Sequence, residues 1–190
     1  MLTELIKFVV FRYLYRYCKP LRFATWNVRT LMDKEDSDRS AGRTALIAAE
    51  LCRYDVDIAA LSETRLADEG YLTEVGGGYT FCWKGLPHDA RRTHGVGFAI
   101  RSSLLSQITE SPVGISERLM TVRLPLIKGR YMTVVSVYAP TLVPDESTKD
   151  SFYSYSATLQ AVPRNDRLVI LSDFNARVGT NYNVWSWEYQ

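Results

Sequence analysis

Apolar residues come in short, dense runs along this chain, and most runs end on a polar side chain. Leu168–Leu171 (LVIL) is the clearest, a pattern of a strand buried on both faces. Similar runs predict strands at Leu21–Val28, Val56–Leu61, Tyr79–Lys84, Gly95–Arg101, Leu119–Leu126, Tyr131–Tyr138 and Arg167–Leu171. Between the first two, Leu46, Ile47, Ala49 and Leu51 recur among charges, which predicts an amphipathic helix over Ala41–Arg53. A strand–helix–strand unit implies a parallel pair whose strands end together. A second helix is expected over Ser147–Val162, with Ser147 as N-cap, Asp150 three residues on, and Phe152, Tyr155 and Leu159 on its core face. Gly76–Gly78 is a turn: with no following lysine and no GxGxxG spacing it is no phosphate loop. Lys128-Gly129 marks a hairpin between two of the strands.

Residues 1–20 break the pattern. Aromatics alternate with Lys7, Arg12, Arg16 and Lys19, and the longest uncharged run is Phe8–Phe11. A bilayer span needs about 20 apolar residues, and the bases do not precede an apolar block, so no transmembrane helix or signal peptide is expected. The segment reads as an appendage with no part in the fold, or as a basic helix on a membrane surface. The organisation expected is therefore 1–20 appended, 21–185 the domain, and 186–190 a divergent tail.

Composition changes the picture little. At 190 residues, 46% hydrophobic and 23% charged, the chain suits one globular domain, and a net charge of +2 neither demands nor excludes nucleic acid. Three cysteines without CxxC spacing point to reduced thiols inside a cell, in nucleus or cytoplasm. With only two histidines, His88 and His94, any metal should be a hard cation held by oxygens.

The candidate chemistry lies at the strand ends. Asn27, Glu63, Tyr138, Asp173 and Asn175 each sit at or just past the end of a predicted strand. Asp173 and Asn175 read alone as turn residues capping a loop; the five together describe one pocket at a sheet edge. A carboxylate and an amide oxygen can hold Mg²⁺. A second carboxylate can orient or deprotonate water, and an amide and a phenol can donate to charge building on phosphorus. Arg91 and Arg92, in the basic stretch Pro87–His94, read as surface residues or as contacts to a phosphate backbone.

Four motifs in order, WN (26–27), SET (62–64), VYAP (137–140) and SDFN (172–175), resemble the endonuclease/exonuclease/phosphatase family. The wider wording (TWNVRTL, DIAALSETRL, GVGFAI, ERLMTVRLPL, LSDFNARVG) resembles its branch derived from non-LTR retrotransposons. The resemblance implies an α/β fold, a four-layer sandwich of two facing sheets like that of DNase I. It implies that Glu63 and Asn27 serve a Mg²⁺ (or Mn²⁺) site. It assigns Tyr138 to the scissile phosphate, Asp173 to the proton of water or leaving group, and Asn175 to the phosphoryl oxygens. DNA is the implied partner, with no small-molecule cofactor and no membrane partner; nothing bears on oligomeric state. Arg29 stands where abasic-site enzymes carry an acid, which argues against dedicated repair.

Family domains run on to further strands and a terminal Asp-His pair. The fifteen residues after Asn175 hold neither residue type, and His88 and His94 lie upstream of SDFN. The expectation is a chain cut short in its second sheet, with weak or no hydrolysis. The alternatives are a non-catalytic nucleic-acid-binding or interaction remnant and an inositol phosphate phosphatase.

Overall fold

Two sheets face each other across an apolar core. The computed structural model describes residues 6–14 (backbone only), 20–33, 42–108, 110–139, 155–173 and 175. The first sheet holds β1 (Ile6–Leu14), β2 (Pro20–Asn27), β3 (Ile58–Ser62), β4 (Glu69–Glu74), β5 (Tyr79–Lys84) and β6 (Val96–Arg101) in the order β1-β2-β3-β6-β5-β4. The second holds β7 (Val113–Ser116), β8 (Leu119–Pro125), β9 (Tyr131–Tyr138) and β10 (Arg167–Asp173) in the order β10-β9-β8-β7. Helix α1 (Arg43–Arg53) joins β2 to β3, α2 (Ser102–Leu105) follows β6, and α3 (155–161) precedes β10.

Each sheet contains one parallel pair, β2 with β3 and β9 with β10, and is otherwise antiparallel. Alternation along the strands divides the core in two. Leu21, Phe23, Ile58, Ala60, Phe98 and Ile100 face the second sheet and meet Met120, Val122, Leu124, Met132, Val134, Val169 and Leu171. Ala24, Trp26, Ala59, Leu61, Phe81 and Ala99 face the other way, onto Ile47, Ala48 and Leu51 of α1. The register aligns Ala24 with Ala59 and Ala59 with Ala99. That row of small side chains lets α1 pack close to the sheet.

The expected strands appear, shifted by a residue or two at their ends, and β2 and β3 are parallel as the intervening helix requires. Lys128 (φ 59°) and Gly129 (φ 66°) take left-handed backbone in the turn between β8 and β9. Of the helix expected at 147–162, residues 147–154 lie outside the described residues; 155–161 are helical.

The reading that residues 1–20 take no part in the fold is corrected. Strand β1 pairs antiparallel along β2, from Ile6 opposite Trp26 to Phe11 opposite Leu21. Ile, Phe, Val and Tyr are strand formers, and β1 covers what is otherwise an unpaired edge of β2. Interspersed charges hide the signal. Strands β4 and β7 have no dense apolar run, because much of each faces solvent: Tyr71 is 79% and Val113 55% exposed. Among the described residues no helix is long and apolar enough to cross a membrane.

Candidate active site

Parallel pairing fixes where the polar strand ends meet. Asn27 is paired in register with Ser62, so Glu63 follows directly beside it. In the second sheet Tyr138 is paired with Asp173, two residues before Asn175. The two sheets face each other, and both parallel pairs end at one edge of the sandwich.

There the five residues named from sequence come together. Asn27 Nδ2 donates to Glu63 Oε1 at 2.8 Å and to Asp173 Oδ2 at 2.8 Å. Its carbonyl oxygen accepts from the Arg29 backbone N–H at 3.1 Å, which fixes the carboxamide's orientation. Tyr138 Oη lies 3.4 Å from Glu63 Oε1. Asn175 N–H donates to Asp173 Oδ1 at 3.3 Å, and its Nδ2 donates to the Ala139 carbonyl at 2.6 Å. Arg91 and Arg92 stand apart from this cluster. Both are exposed in the loop between β5 and β6, where an Arg92 η nitrogen lies 3.7 Å from Met32 Sδ.

The structure adds four residues that strand-end reasoning passes over. Ser62 Oγ donates to Asp173 Oδ2 at 3.2 Å. Arg65 holds the second oxygen of Glu63, Oε2, at 2.8 Å. Arg118 lies with its guanidinium carbon 5.1 Å from the centroid of the Tyr138 ring. His94 accepts from Arg118, Nη2 to Nε2 3.0 Å, and its ring centroid lies 6.0 Å from that of Tyr138. His94, far upstream of SDFN in the sequence, therefore lines the wall of the site.

The backbone here is unusual. Arg29 (φ 58°), Glu63 (55°), Arg65 (55°) and Asn175 (45°) all adopt left-handed conformations as non-glycine residues. Such positions carry a local cost and cluster at functional sites. The loop after β3 is held on both sides. Val28 N–H donates to the Ser62 carbonyl at 3.0 Å and Leu31 N–H to the Thr64 carbonyl at 2.8 Å. On the other side Thr64 N–H donates to the Gly95 carbonyl and Arg65 N–H to the His94 carbonyl, each at 3.1 Å.

Electrostatics follow from these contacts. Burial pushes the Glu63 carboxyl up, but the hydrogen bonds from Asn27, Arg65 and Tyr138 and the charge of Arg65 together hold it below the usual range. Burial and the neighbouring Glu63 charge raise the Tyr138 phenol, which therefore stays protonated as a donor. Burial, then the charge of Arg118, lowers the His94 imidazole, so it is neutral at physiological pH.

Two carboxylates, Glu63 and Asp173, supply oxygen ligands and share the N–H donors of the Asn27 amide. Among the described residues no three His, Cys, Asp or Glu side chains gather into a cage. Carboxylate oxygens are the ligand type that hard divalent cations take.

The chain is 27% identical over 167 residues to craniofacial development protein 2 of Bos taurus and 26% identical over 167 residues to that of Tragulus javanicus. Both matches cover 86% of this chain but only 25% and 26% of those proteins, so the chain spans about a quarter of the length of the curated relatives it matches. Among solved structures it is similar to an AP endonuclease from Archaeoglobus fulgidus, with 20% identity, a TM-score of 0.49, and coverage of 82% of this chain and 58% of that one. It is also similar to the endonuclease domain of TRAS1, a telomere-specific non-LTR retrotransposon, with 17% identity, a TM-score of 0.46, and coverage of 84% and 61%. The sequence profile of the Endonuclease/Exonuclease/phosphatase family matches residues 24–189, which include all five strand-end residues. The chain belongs to the endonuclease/exonuclease/phosphatase family.

Proposed function

We propose that this site hydrolyses phosphodiester bonds in DNA with Mg²⁺, or Mn²⁺ in its place. The observation that carries the reading is the shared amide of Asn27, which draws the carboxylates of Glu63 and Asp173 to one point from two different sheets. In this reading Glu63 and Asn27 would hold the cation, Asn27 once its amide turns so that the oxygen leaves the Arg29 N–H and faces Glu63. The cation when bound would supply Lewis-acid polarisation of a phosphoryl oxygen. Asp173 takes or returns the proton at the attacking water or the leaving oxygen. Its Oδ2 is oriented for this by Ser62 and Asn27, and its Oδ1 by the Asn175 backbone. Tyr138 and Asn175 donate hydrogen bonds to the phosphoryl oxygens as charge builds there. Asn175 must first turn its amide away from the Ala139 carbonyl.

Hydrolysis by this chain is weak in this reading, because no Asp-His pair follows SDFN in this sequence, and Arg65 occupies Glu63 Oε2 and must release it. The same contact favours a second reading, a site that binds the DNA backbone without cutting it. Arg91 and Arg92, exposed on the loop before β6, are candidate backbone contacts in both readings.

Nicking of a supercoiled plasmid in Mg²⁺, against an EDTA control, tests the proposal. Glu63→Ala and Asp173→Ala should each abolish it; nicking that survives both substitutions overturns the assignment. Metal-independent DNA binding without nicking selects the second reading. Phosphate release from inositol polyphosphates, with no nicking, would move the substrate class to a phosphatase.

A further inference from the structure

The two edges of the first sheet carry opposite charge. At one edge, β4 has acids at its first and last positions, Glu69 and Glu74, and no base. At the other, β1 has Lys7 and Arg12 and no acid. Among the described residues each pairs with a single neighbour, β4 with β5 and β1 with β2. An edge strand leaves N–H and C=O groups free to pair with another chain. Around β4 the side chains are open as well: Tyr71 is 79% exposed, Leu72 42%, and Val75, the next residue after the strand, 87%. Glu69 stays half-exposed beside Lys84, and Glu74 accepts from the Thr44 hydroxyl.

Direction and spacing make the two edges complementary. Strand β1 runs opposite to β2, and β3 runs with β2. The pairings of β3 with β6, β6 with β5 and β5 with β4 each reverse the chain, so β4 also runs opposite to β2. Copies laid side by side in one continuous sheet therefore set β1 of one parallel to β4 of the next. Glu74 lies five positions after Glu69, and Arg12 lies five after Lys7. A single parallel register thus opposes Lys7 to Glu69 and Arg12 to Glu74 together, and aligns Val9 and Val10 with Tyr71 and Leu72. Position 7 also falls on the correct face. It aligns across the sheet with Thr25, Ala60, Phe98, Cys82 and Tyr71, and Glu69 stands two residues before Tyr71.

Neither edge suits itself. A two-fold antiparallel pair of β4 strands centred on Tyr71 and Leu72 opposes Glu69 to Glu74 twice. The same arrangement of β1 strands centred on Val9 and Val10 opposes Lys7 to Arg12 twice. Like charges directly opposite are destabilising, and opposite charges stabilise.

We propose that this chain self-associates head to tail, with β1 of one copy added as a parallel strand to β4 of the next. The contact is heterologous, so assembly continues past a dimer. It is independent of the chemistry proposed for the strand-end site.

The test is sedimentation velocity of the 190-residue chain across the micromolar range, at low and high salt. Species larger than a dimer should grow with concentration and recede as salt screens the exposed pairs. Glu69→Lys with Glu74→Lys, and separately Lys7→Glu with Arg12→Glu, should each weaken association about tenfold. Mixing the two double variants should restore it, because each edge of one then meets an edge of opposite charge on the other. Tyr71→Lys, a single change at an exposed side chain, should weaken association by itself and leave circular dichroism and melting unchanged.

A chain that stays monomeric at low salt, or that stops at a dimer, overturns the proposal. So does a mixture of folded double variants that associates no better than either alone. Loss of association on changing β1 but not β4 overturns it too, because that pattern belongs to exchange of β1 strands between copies. If a double variant fails to fold, Tyr71→Lys decides alone, and association at wild-type strength in that variant sinks the idea.

Discussion

Asn27 Nδ2 lies 2.8 Å from Asp173 Oδ2, a hydrogen bond between residues 146 positions apart that joins the end of one sheet to the end of the other. The same nitrogen donates to Glu63 Oε1. Two carboxylates are thus kept apart and oriented by one neutral amide. Replacing it with a third carboxylate, Asn27→Asp, removes two charge-assisted bonds and adds repulsion. In metal-free protein this should cost about 2 kcal/mol, a fall in Tm of about 4–8 °C for a chain of this size. Excess Mg²⁺ should recover most of the loss, since a cation satisfies the facing carboxylates. Differential scanning calorimetry with and without Mg²⁺ reads both effects; an unchanged metal-free Tm would show that the shared amide contributes nothing.

Arg65 and a cation both seek Glu63. Arg65 is 43% exposed at its side chain, so its ion pair with Glu63 is partly screened and is worth about 0.5–1 kcal/mol. Arg65→Gln should therefore lower the Mg²⁺ concentration for half-maximal nicking about two- to fivefold. A Mg²⁺ titration of nicking rate decides this. A requirement that stays the same or rises removes Arg65 as a competitor.

Acid sensitivity should centre on Asp166. Its carboxylate is hydrogen-bonded by Arg123 at 2.7 and 3.1 Å and by the Thr133 hydroxyl at 3.0 Å. The Arg123 hydrogen bonds hold its pKa below the ordinary 3.8, against the opposing effect of burial. A depressed carboxylate stabilises the fold fully above its unfolded pKa and loses that contribution as pH falls through its folded value. Wild-type stability should decline below about pH 4, the unfolded range of aspartate. Asp166→Asn should cost about 1.5–3 kcal/mol at neutral pH and converge on wild type in acid. Urea unfolding at several pH values measures the gap; a gap that does not close in acid would place the stabilisation elsewhere.

Gly95 should tolerate no side chain. Its positive φ and the 2.2 Å approach of a built Cβ to Thr64 Oγ1 both oppose substitution. Gly95→Ala should cost about 2 kcal/mol or more and reduce nicking beyond what the lost stability explains, because the displaced loop carries Glu63. Measuring nicking well below the variant's Tm separates the two effects. A variant that melts like wild type would show that the loop shifts freely.

Much of this site is legible before folding. Strands β3 and β9 are buried on both faces and β2 largely so, and their dense apolar runs stand out. Strand β10 carries the densest run, yet against the expectation of burial on both faces it buries only Val169 and Leu171, with Leu168 and Ile170 exposed. Parallel neighbours end together, so Asn27 with Glu63 follows from the order of elements, while the pairing of Tyr138 with Asp173 comes from the structure. Strands β4 and β7 escape, because much of each faces solvent and neither carries such a run. Strand β1 escapes because charges interrupt its strand-forming residues.

The sequence by itself determined the parallel pair of β2 and β3, the polar side chains at the strand ends and the family whose motifs those side chains match. Only the tertiary structure decided that His94 and Arg118 belong beside them. Both stand before strands, not after them. Strand β6 runs antiparallel to β3, with Val96 opposite Ser62, and β8 antiparallel to β9, with Leu119 opposite Val137. The start of each reversed strand therefore lies at the edge where the parallel strands end. Which strands pair antiparallel with these is settled by packing between distant segments, and no local pattern along the chain encodes it.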